Sequence, residues 1–209
     1  MPRRTAEQAE KSRREILSRA VDLASVEGLE GLTIGRLADL LTMSKSGIFS
    51  YFGSKEELQL AVVEAAAEVF EREVLSGDGR GLRRLQELAG AWLRYLESGL
   101  FRGGCFFASA SMEFDDRPGR VRDRIAELTR VWVGSLQRAA AEACNDGDLE
   151  VEPAQVAFEI HAFVQEANWA FQLHGDGAAF ARAASAIERT LHEAATPAGR
   201  ETLADRRAR

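Results

Sequence analysis

Apolar residues recur along this chain at the three- and four-residue spacing of an α-helix, and no stretch alternates convincingly with the two-residue period of a strand. The first such stretch places Ile16, Ala20, Leu23 and Ala24 on one face, which predicts an amphipathic helix from about residue 6 to 27. Glycine- and aspartate-rich segments separate the later stretches. The pattern predicts an all-α protein of about nine helices without an internal repeat.

Side chains that cap helices mark three helix starts in the first quarter of the chain. Thr33, Ser44 and Ser54 each precede an apolar stretch, and Glu57 follows Ser54 at the spacing of a capping box. The stretches after Thr33 and Ser44 are short and about three residues apart, which makes them a helix-turn-helix candidate. The alternative is a two-helix corner that binds nothing. The segment 196–209 lacks apolar periodicity, and we expect it to be frayed.

The charge is distributed unevenly between the two ends of the chain. Residues 1–55 carry nine basic and seven acidic side chains, a net charge of +2, whereas the whole chain has a net charge of −6. A mildly positive N-terminal segment suits a part that meets an anion, although solvated helix faces produce similar differences by chance. We therefore predict a helix-turn-helix domain at 1–55 and a helical domain at 56–209.

Several other classes of protein find no support in the sequence. The longest uncharged run, at 103–112, is ten residues, and a membrane helix needs about 20. Two cysteines and the absence of a signal peptide favour a cytoplasmic protein. The three histidines, His161, His174 and His192, show no metal-ligand spacing, and we find no catalytic constellation or phosphate-binding loop. We therefore expect no enzyme activity, no metal and no cofactor.

Residues 12–58 resemble the N-terminal domain of the tetracycline-repressor (TetR) family. The resemblance includes the segments 14–17, 20–24 and 32–38. Its most specific part is 43–58, where a short helix ends in aromatic residues and Ser-Lys-Glu-Glu-Leu opens the next helix. The rest of the chain resembles the family only in length and helix order. The resemblance implies a homodimeric one-component transcription regulator, a repressor that binds a palindromic double-stranded DNA operator and is released by a small effector.

The resemblance also assigns roles within the second short helix and its surroundings. Helical spacing turns Ile48 and Phe52 inward and leaves the small and polar positions outside. By resemblance Thr33, Tyr51 and Lys55 contact phosphates, while the start of the second short helix reaches base edges. The complete predicted DNA-binding set is Thr33, Arg36, Ser44, Lys45, Ser46, Gly47, Phe49, Ser50, Tyr51 and Lys55.

The sequence departs from the family pattern at three positions. Phe49 replaces the usual tyrosine, Thr42 replaces the usual glycine of the turn, and Gly35 stands where relatives often carry a long polar side chain. Phe49 and Gly35 keep open an alternative function, a helical small-molecule-binding protein with a weak or vestigial DNA-binding head. Arg36 is as consistent with a solvated helix face as with a phosphate contact, and Arg3 and Arg4 suit either a minor-groove arm or a disordered terminus.

The remainder of the chain carries thirteen of the sixteen aromatic residues. We expect a small apolar or aromatic effector to bind among them, with Trp92, Phe107, Met112 and Trp132 as contacts. The last two helices carry apolar stripes, and the resemblance implies that these helices form the dimer interface through Val156, Ile160, Phe163, Val164, Ala167, Phe171, Ile187 and Leu191. The alternative in both cases is that these residues belong to the core of the single chain.

Overall fold

A computed structural model of the chain describes residues 6–205, and this part of the chain contains ten helices. The predicted all-α class is confirmed, with one helix more than expected. Among the described residues the β-type pairing consists of one isolated antiparallel bridge, between Leu149 and Ala195. The helices are α1 (Ala6–Glu27), α2 (Ile34–Leu41), α3 (Lys45–Phe52), α4 (Lys55–Phe70), α5 (Gly81–Glu97), α6 (Phe106–Phe114), α7 (Arg120–Asn145), α8 (Pro153–His174), α9 (Ala178–Ala194) and α10 (Pro197–Asp205).

The chain folds into two compact units. The first contains the residues up to Val69 and the segment Phe101–Leu128, and the second contains Phe70–Leu100 and the residues from Thr129 onward. Fully buried leucine and isoleucine side chains form the core of each unit. The predicted functional division at residues 55 and 56 stays a prediction, because compactness does not show which part of a chain carries which function.

The helix starts predicted from the sequence are present in the structure. The Ser54 hydroxyl accepts a hydrogen bond from the amide of Glu57 at 3.1 Å, which satisfies one of the free donors at the start of α4. The carboxylate of Glu57 lies 2.6 Å from Arg120, at the start of α7. At its other end, α4 continues as a π-helical turn, Glu71–Leu75.

The tail of the chain contradicts the expectation of a frayed end, because 197–205 form α10. The Thr196 hydroxyl accepts from the amide of Gly199 at 3.1 Å and donates to the carbonyl of Gly147 at 2.7 Å. The Thr196 amide also donates to the carbonyl of Asp148 at 3.0 Å. A threonine cap followed by Pro197 is a local start signal that apolar periodicity alone does not reveal. Residues 206–209 lie outside the described part of the chain, as do Arg3 and Arg4.

No described helix is both long enough and apolar enough to cross a bilayer.

Candidate nucleic-acid interface and ligand site

Helices α2 and α3 form the predicted two-helix motif within the first unit. The Thr33 hydroxyl accepts from the amide of Arg36 at 3.1 Å, and the Ser44 hydroxyl accepts from the amide of Gly47 at 3.0 Å, so both predicted caps are confirmed. Ile48 is completely buried and Phe52 is nearly so, as helical spacing predicted. Burial of this side of α3 leaves its opposite side toward solvent.

The turn between α2 and α3 depends on an unusual backbone conformation at Thr42. This residue has φ of 54° and ψ of 37°, in the left-handed region that glycine adopts without strain. The next amide, of Met43, donates to the carbonyl of Ala38 at 2.9 Å, and the Thr42 amide donates to Asp39 at 3.3 Å. These are the two hydrogen bonds of a Schellman motif. The threonine found in place of glycine therefore still ends α2 in the left-handed turn.

The solvent side of α3 presents small and polar groups together with one cation. Lys45, Ser46, Phe49 and Ser50 are exposed, with 53% of Phe49 accessible, and Tyr51 is half-buried. The Ser50 hydroxyl donates a hydrogen bond of 2.7 Å to the carbonyl of Gly47, one turn earlier in α3. This face offers hydroxyl and ammonium donors, which suit base edges or phosphates.

A glycine in α2 leaves space for the cation. A Cβ atom at Gly35 would lie 3.4 Å from Cε and 3.6 Å from Nζ of Lys45. Gly35 therefore lacks the long polar side chain that could contact a base, and its missing side chain leaves space beside α2 for the side chain of Lys45. In the part of the chain that the structure describes, Lys45 makes no ion pair.

Arg36 and Lys55, which are also predicted to contact phosphates, form ion pairs with carboxylates of the same chain. Arg36 forms a bidentate pair with Glu27, and this hydrogen bonding lowers the pKa of the Glu27 carboxyl. Lys55 donates to Glu30 at 2.6 Å, which lowers the pKa of Glu30 below its usual range. Both pairs are partly exposed, so solvent screening keeps them weak enough to exchange for another anion. Arg36 and Lys55 are therefore less available for DNA than the sequence indicated.

Helix α6 is fastened to the end of α1 by contacts that the sequence did not suggest. The Glu113 carboxylate accepts from the amide of Leu29 at 2.7 Å and from that of Glu30 at 3.0 Å. Gly28, with φ of 84°, gives this carboxylate room, because a Cβ there would lie 2.7 Å from Oε1. Arg102, shortly before α6, pairs with Asp22 of α1 at 2.8 Å. Within the first unit, α6 thus contacts the connection that leads into α2.

The second unit contains a cluster of five aromatic rings from four helices. Trp92 and Trp132 meet edge to face with centroids 4.6 Å apart, and Phe70 lies 6.2 and 5.3 Å from them. Tyr95 packs 5.7 Å from Phe70, and the His161 ring lies 5.4 Å from Trp92. We call these five residues the aromatic cluster. Two of the four predicted effector contacts, Trp92 and Trp132, are therefore brought together.

Phe107 and Met112, the other two predicted effector contacts, belong to α6 in the first unit. Phe107 is half-buried and packs edge to face on Phe106 at 5.4 Å. Met112 is 78% exposed, which contradicts its assignment to an enclosed pocket because its side chain faces solvent. Helical spacing places Met112 on a different side of α6 from the buried Phe106, Ala110 and Phe114.

A groove of about 780 Å³ lies elsewhere in the second unit, between α5, α9 and α10. Its apolar floor includes Leu93 and Leu191, and its rim carries Arg189, His192 and Arg200. None of the four predicted effector contacts lines it. The groove could not be anticipated from the sequence, because one of its walls is α10. Among the described residues no cluster of histidine, cysteine and carboxylate side chains could hold a metal ion.

Most of the residues predicted to form the dimer interface do not lie on the surface of the single chain, which corrects the prediction for them. Val156, Ile160, Val164, Ala167, Ile187 and Leu191 are at most 5% exposed in the single chain, so they have almost no surface left to bury against a partner. Phe163 is half-buried, and Phe171 packs on Phe180 at 5.1 Å. For the six buried residues the structure agrees with the alternative, a core between helices of one chain.

A different side of α8 carries large apolar side chains in solvent. Phe158, Trp169 and Leu173 are 66%, 49% and 63% exposed. With Ala162 and Gln165 they follow one face of the helix at three- and four-residue steps. We call Phe158, Trp169 and Leu173 the α8 stripe. Exposed apolar residues in such a row are typical of an interaction surface.

Two family models match the chain over most of its length. The model "Bacterial regulatory proteins, tetR family" matches residues 16–62, and the model "Tetracyclin repressor-like, C-terminal domain" matches residues 81–187.

Individual relatives agree with these models. A 62-residue segment is 44% identical to the HTH-type transcriptional repressor NicS of Pseudomonas putida, and it spans 28% of each chain, so the match covers little more than a quarter of that relative. The crystal structure of a TetR transcriptional regulator from Chloroflexus aurantiacus is similar with a TM-score of 0.81 and 23% identity, over 90% of this chain and 98% of that one. AibR, solved in complex with isovaleryl coenzyme A and operator DNA, is similar with a TM-score of 0.68 and 23% identity, over 84% and 95%. At these identities the solved structures show the fold.

Proposed function

Because the chain belongs to the tetracycline-repressor family of bacterial transcriptional regulators, we propose that it is a cytoplasmic one-component repressor that binds a palindromic operator as a homodimer. A small effector that binds the second unit releases it from DNA. The observation that carries this proposal is the solvent face of α3, where Lys45 lies among exposed serines and forms no ion pair with any described residue.

The DNA contacts divide by chemistry. Lys45 and Ser46, at the start of α3, are placed to donate to base edges, and Lys45 suits guanine O6 and N7. The backbone amides at the start of α2, next to Thr33, are placed to bind a phosphate. The hydroxyl of Tyr51, in α3, suits a second phosphate. Arg36 and Lys55 reach phosphates only by exchanging their carboxylate partners Glu27 and Glu30 for the DNA anion. Sequence readout therefore depends mainly on α3.

The dimer supplies the second copy of this face. Reading two half-sites in the major groove needs two α3 helices one helical turn of DNA apart, or a multiple of it, which a two-fold assembly provides. The α8 stripe is the surface we assign to that contact, because Phe158, Trp169 and Leu173 are apolar and exposed in the single chain.

The effector acts by binding one conformational state better than the other. If it favours a state in which the two α3 helices do not fit the operator, DNA must weaken effector binding by the same factor. The aromatic cluster is the site we assign to it, since Trp92 and Trp132 are large, apolar and carry polar N–H groups.

A gel-shift titration against the DNA upstream of the gene, repeated over a range of salt concentrations, tests the repressor. We expect specific binding with a steep salt dependence, because phosphate contacts release counterions. Lys45→Ala should weaken specific binding by about 1–3 kcal/mol. Arg94→Ala, which removes an exposed charge in the second unit, serves as the matched control. Unchanged operator affinity in Lys45→Ala would remove Lys45 from the interface.

A second candidate is a helical small-molecule-binding protein whose DNA-binding head is weak. The ion pairs of Arg36 and Lys55 and the exposed ring of Phe49, which has no hydroxyl, favour it. Binding to the upstream DNA no tighter than to random duplex of equal length would select this candidate.

A further inference from the structure

The indole nitrogens of Trp92 and Trp132 set a chemical condition on the effector. Both Nε1 atoms are buried and have no hydrogen-bond partner among the described residues. Trp92 is 2% exposed and Trp132 is 5% exposed, so both donors lie far from bulk water. A buried N–H without an acceptor costs about 1–3 kcal/mol, and native proteins leave few such groups unexplained.

The two indoles share one neighbourhood. Their ring centroids are 4.6 Å apart, and Phe70 stands edge to face with both. The His161 ring, 5.4 Å from Trp92, is half-buried, so at His161 the aromatic cluster reaches the surface of the second unit. Of the five cluster residues, His161 is the one that a ligand arriving from solvent would contact first.

The cluster is poorly suited to a charged ligand. None of its four buried rings carries a charge, and burial lowers the pKa of His161, which keeps that imidazole neutral at pH 7. The residues one helical turn from the two indoles on their own helices are also uncharged: Leu88, Ala89 and Leu96 around Trp92, and Ser135 and Leu136 after Trp132. A carboxylate or phosphate brought here would lose its hydration without gaining a counter-charge.

The geometry points to an effector that is electrically neutral, has an apolar or aromatic body, and carries an oxygen acceptor, such as a ketone, ester or amide carbonyl, that takes the N–H donors of Trp92 and Trp132. This inference rests on the proposed function for the site's role as the effector site. It adds the chemical class: an acceptor is required, and an anionic group is excluded from the cluster. An apolar molecule without an acceptor would leave the two donors unpaired.

Nuclear magnetic resonance of the full-length protein labelled with ¹⁵N-tryptophan tests the inference directly. The chain has three tryptophans, so three indole N–H signals are expected, and Trp92→Phe, Trp132→Phe and Trp169→Phe assign them. Three probes of similar size are titrated: acetophenone, which has a neutral carbonyl, toluene, which has no acceptor, and benzoate, which is an anion. Trp169 belongs to the α8 stripe and lies outside the aromatic cluster, so its signal is the internal control for binding at the cluster.

We expect acetophenone to bind about tenfold more tightly than toluene or benzoate, the value of one buried hydrogen bond. It should move the N–H signals of Trp92 or Trp132 downfield while the Trp169 signal stays in place. Phenylalanine keeps an aromatic ring, although a smaller one, and removes the N–H donor. In Trp92→Phe or Trp132→Phe the affinity for acetophenone should therefore fall close to the affinity for toluene. If one of the two variants does not fold, the other still gives this comparison.

Several results would overturn the inference. These are benzoate binding as tightly as acetophenone, toluene binding as tightly as acetophenone, cluster signals that no probe moves, and N–H groups that exchange rapidly with solvent and so bind water only. The proposed function has its own readout, because the gel shift needs no probe. Failure of these titrations with intact operator binding rejects the ligand class alone, whereas loss of operator binding rejects the repressor whatever the indole signals show.

Discussion

The carboxylate of Glu113, in α6, accepts a hydrogen bond of 2.7 Å from the backbone amide of Leu29, 84 residues earlier in the chain. Its second oxygen accepts from the amide of Glu30. One side chain therefore satisfies two backbone donors in the connection between α1 and α2. Because α2 begins shortly afterwards at Ile34, the position of the helix-turn-helix motif depends on this contact within the first unit.

Replacement of Glu113 by glutamine should lower the stability of the protein. The amide group of glutamine can accept only one of the two hydrogen bonds and turns an NH₂ group toward a backbone donor, at a cost of about 1–3 kcal/mol. Chemical denaturation measures this difference. Glu68→Gln, which changes an exposed carboxylate of α4, is the control and should be neutral. Equal stabilities for both variants would show that Glu113 does not hold the connection.

Thr42→Gly should make the protein more stable. A β-branched residue at φ of 54° is strained, by about 1–3 kcal/mol. Glycine removes the strain but adds roughly 1 kcal/mol of unfolded-state entropy, so we expect a net gain of about 1 kcal/mol. Thermal unfolding measures it, and Thr42→Asn should fall between the two, since asparagine tolerates this region. A loss of stability in Thr42→Gly would mean that the Thr42 side chain contributes more than the strain costs.

Glu27→Gln should increase affinity for the operator. Arg36 loses its bidentate partner and becomes free to bind a phosphate. The affinity should rise severalfold, and the slope of log affinity against log salt should steepen by about one. A salt-dependent gel shift measures both. Glu68→Gln removes the same charge without freeing an arginine, and a gain of the same size in that variant would attribute the effect to net charge.

Leu173→Asp should prevent dimerisation. Leu173 is 63% exposed in the single chain, so aspartate is tolerated in the monomer, whereas a buried unpaired charge disfavours an apolar interface. Sedimentation velocity should show a monomer, and operator affinity should fall with it. Leu100→Asp, at another exposed leucine of the second unit, should leave the dimer intact. A dimer that survives Leu173→Asp would place the interface away from the α8 stripe.

Local signals in the sequence were reliable where the structure depends on neighbours along the chain. The Thr33 and Ser44 caps and the inward positions of Ile48 and Phe52 each involve residues within one helical turn. The start of α10 belongs to the same class, since the Thr196–Pro197 pair marks it. Apolar spacing missed it because Pro197–Asp205 is short and contains a single large apolar residue, Leu203.

The periodicity of the sequence could not predict which helix face is buried or which distant residues form contacts. Helix α8 is apolar on more than one side, so spacing cannot tell whether Val156 and Ile160 or Phe158 and Trp169 face the chain's own core. The contact of Glu113 with Leu29 joins residues 84 positions apart and leaves no local pattern. For a related reason the ion pair of Arg36 with Glu27, which occupies a predicted phosphate contact, becomes visible only once α1 and α2 are in place.

The hydrogen bonds that Thr196 makes at the start of α10 affect how the protein can be handled at the bench. Affinity tags, fluorescent fusions and coupling residues belong beyond Asp205, where they leave α10 undisturbed. A version trimmed before Thr196 would free the carbonyls of Gly147 and Asp148 and would remove α10 from one side of the open groove. Affinities for small molecules measured on such a shortened protein would describe a different molecule.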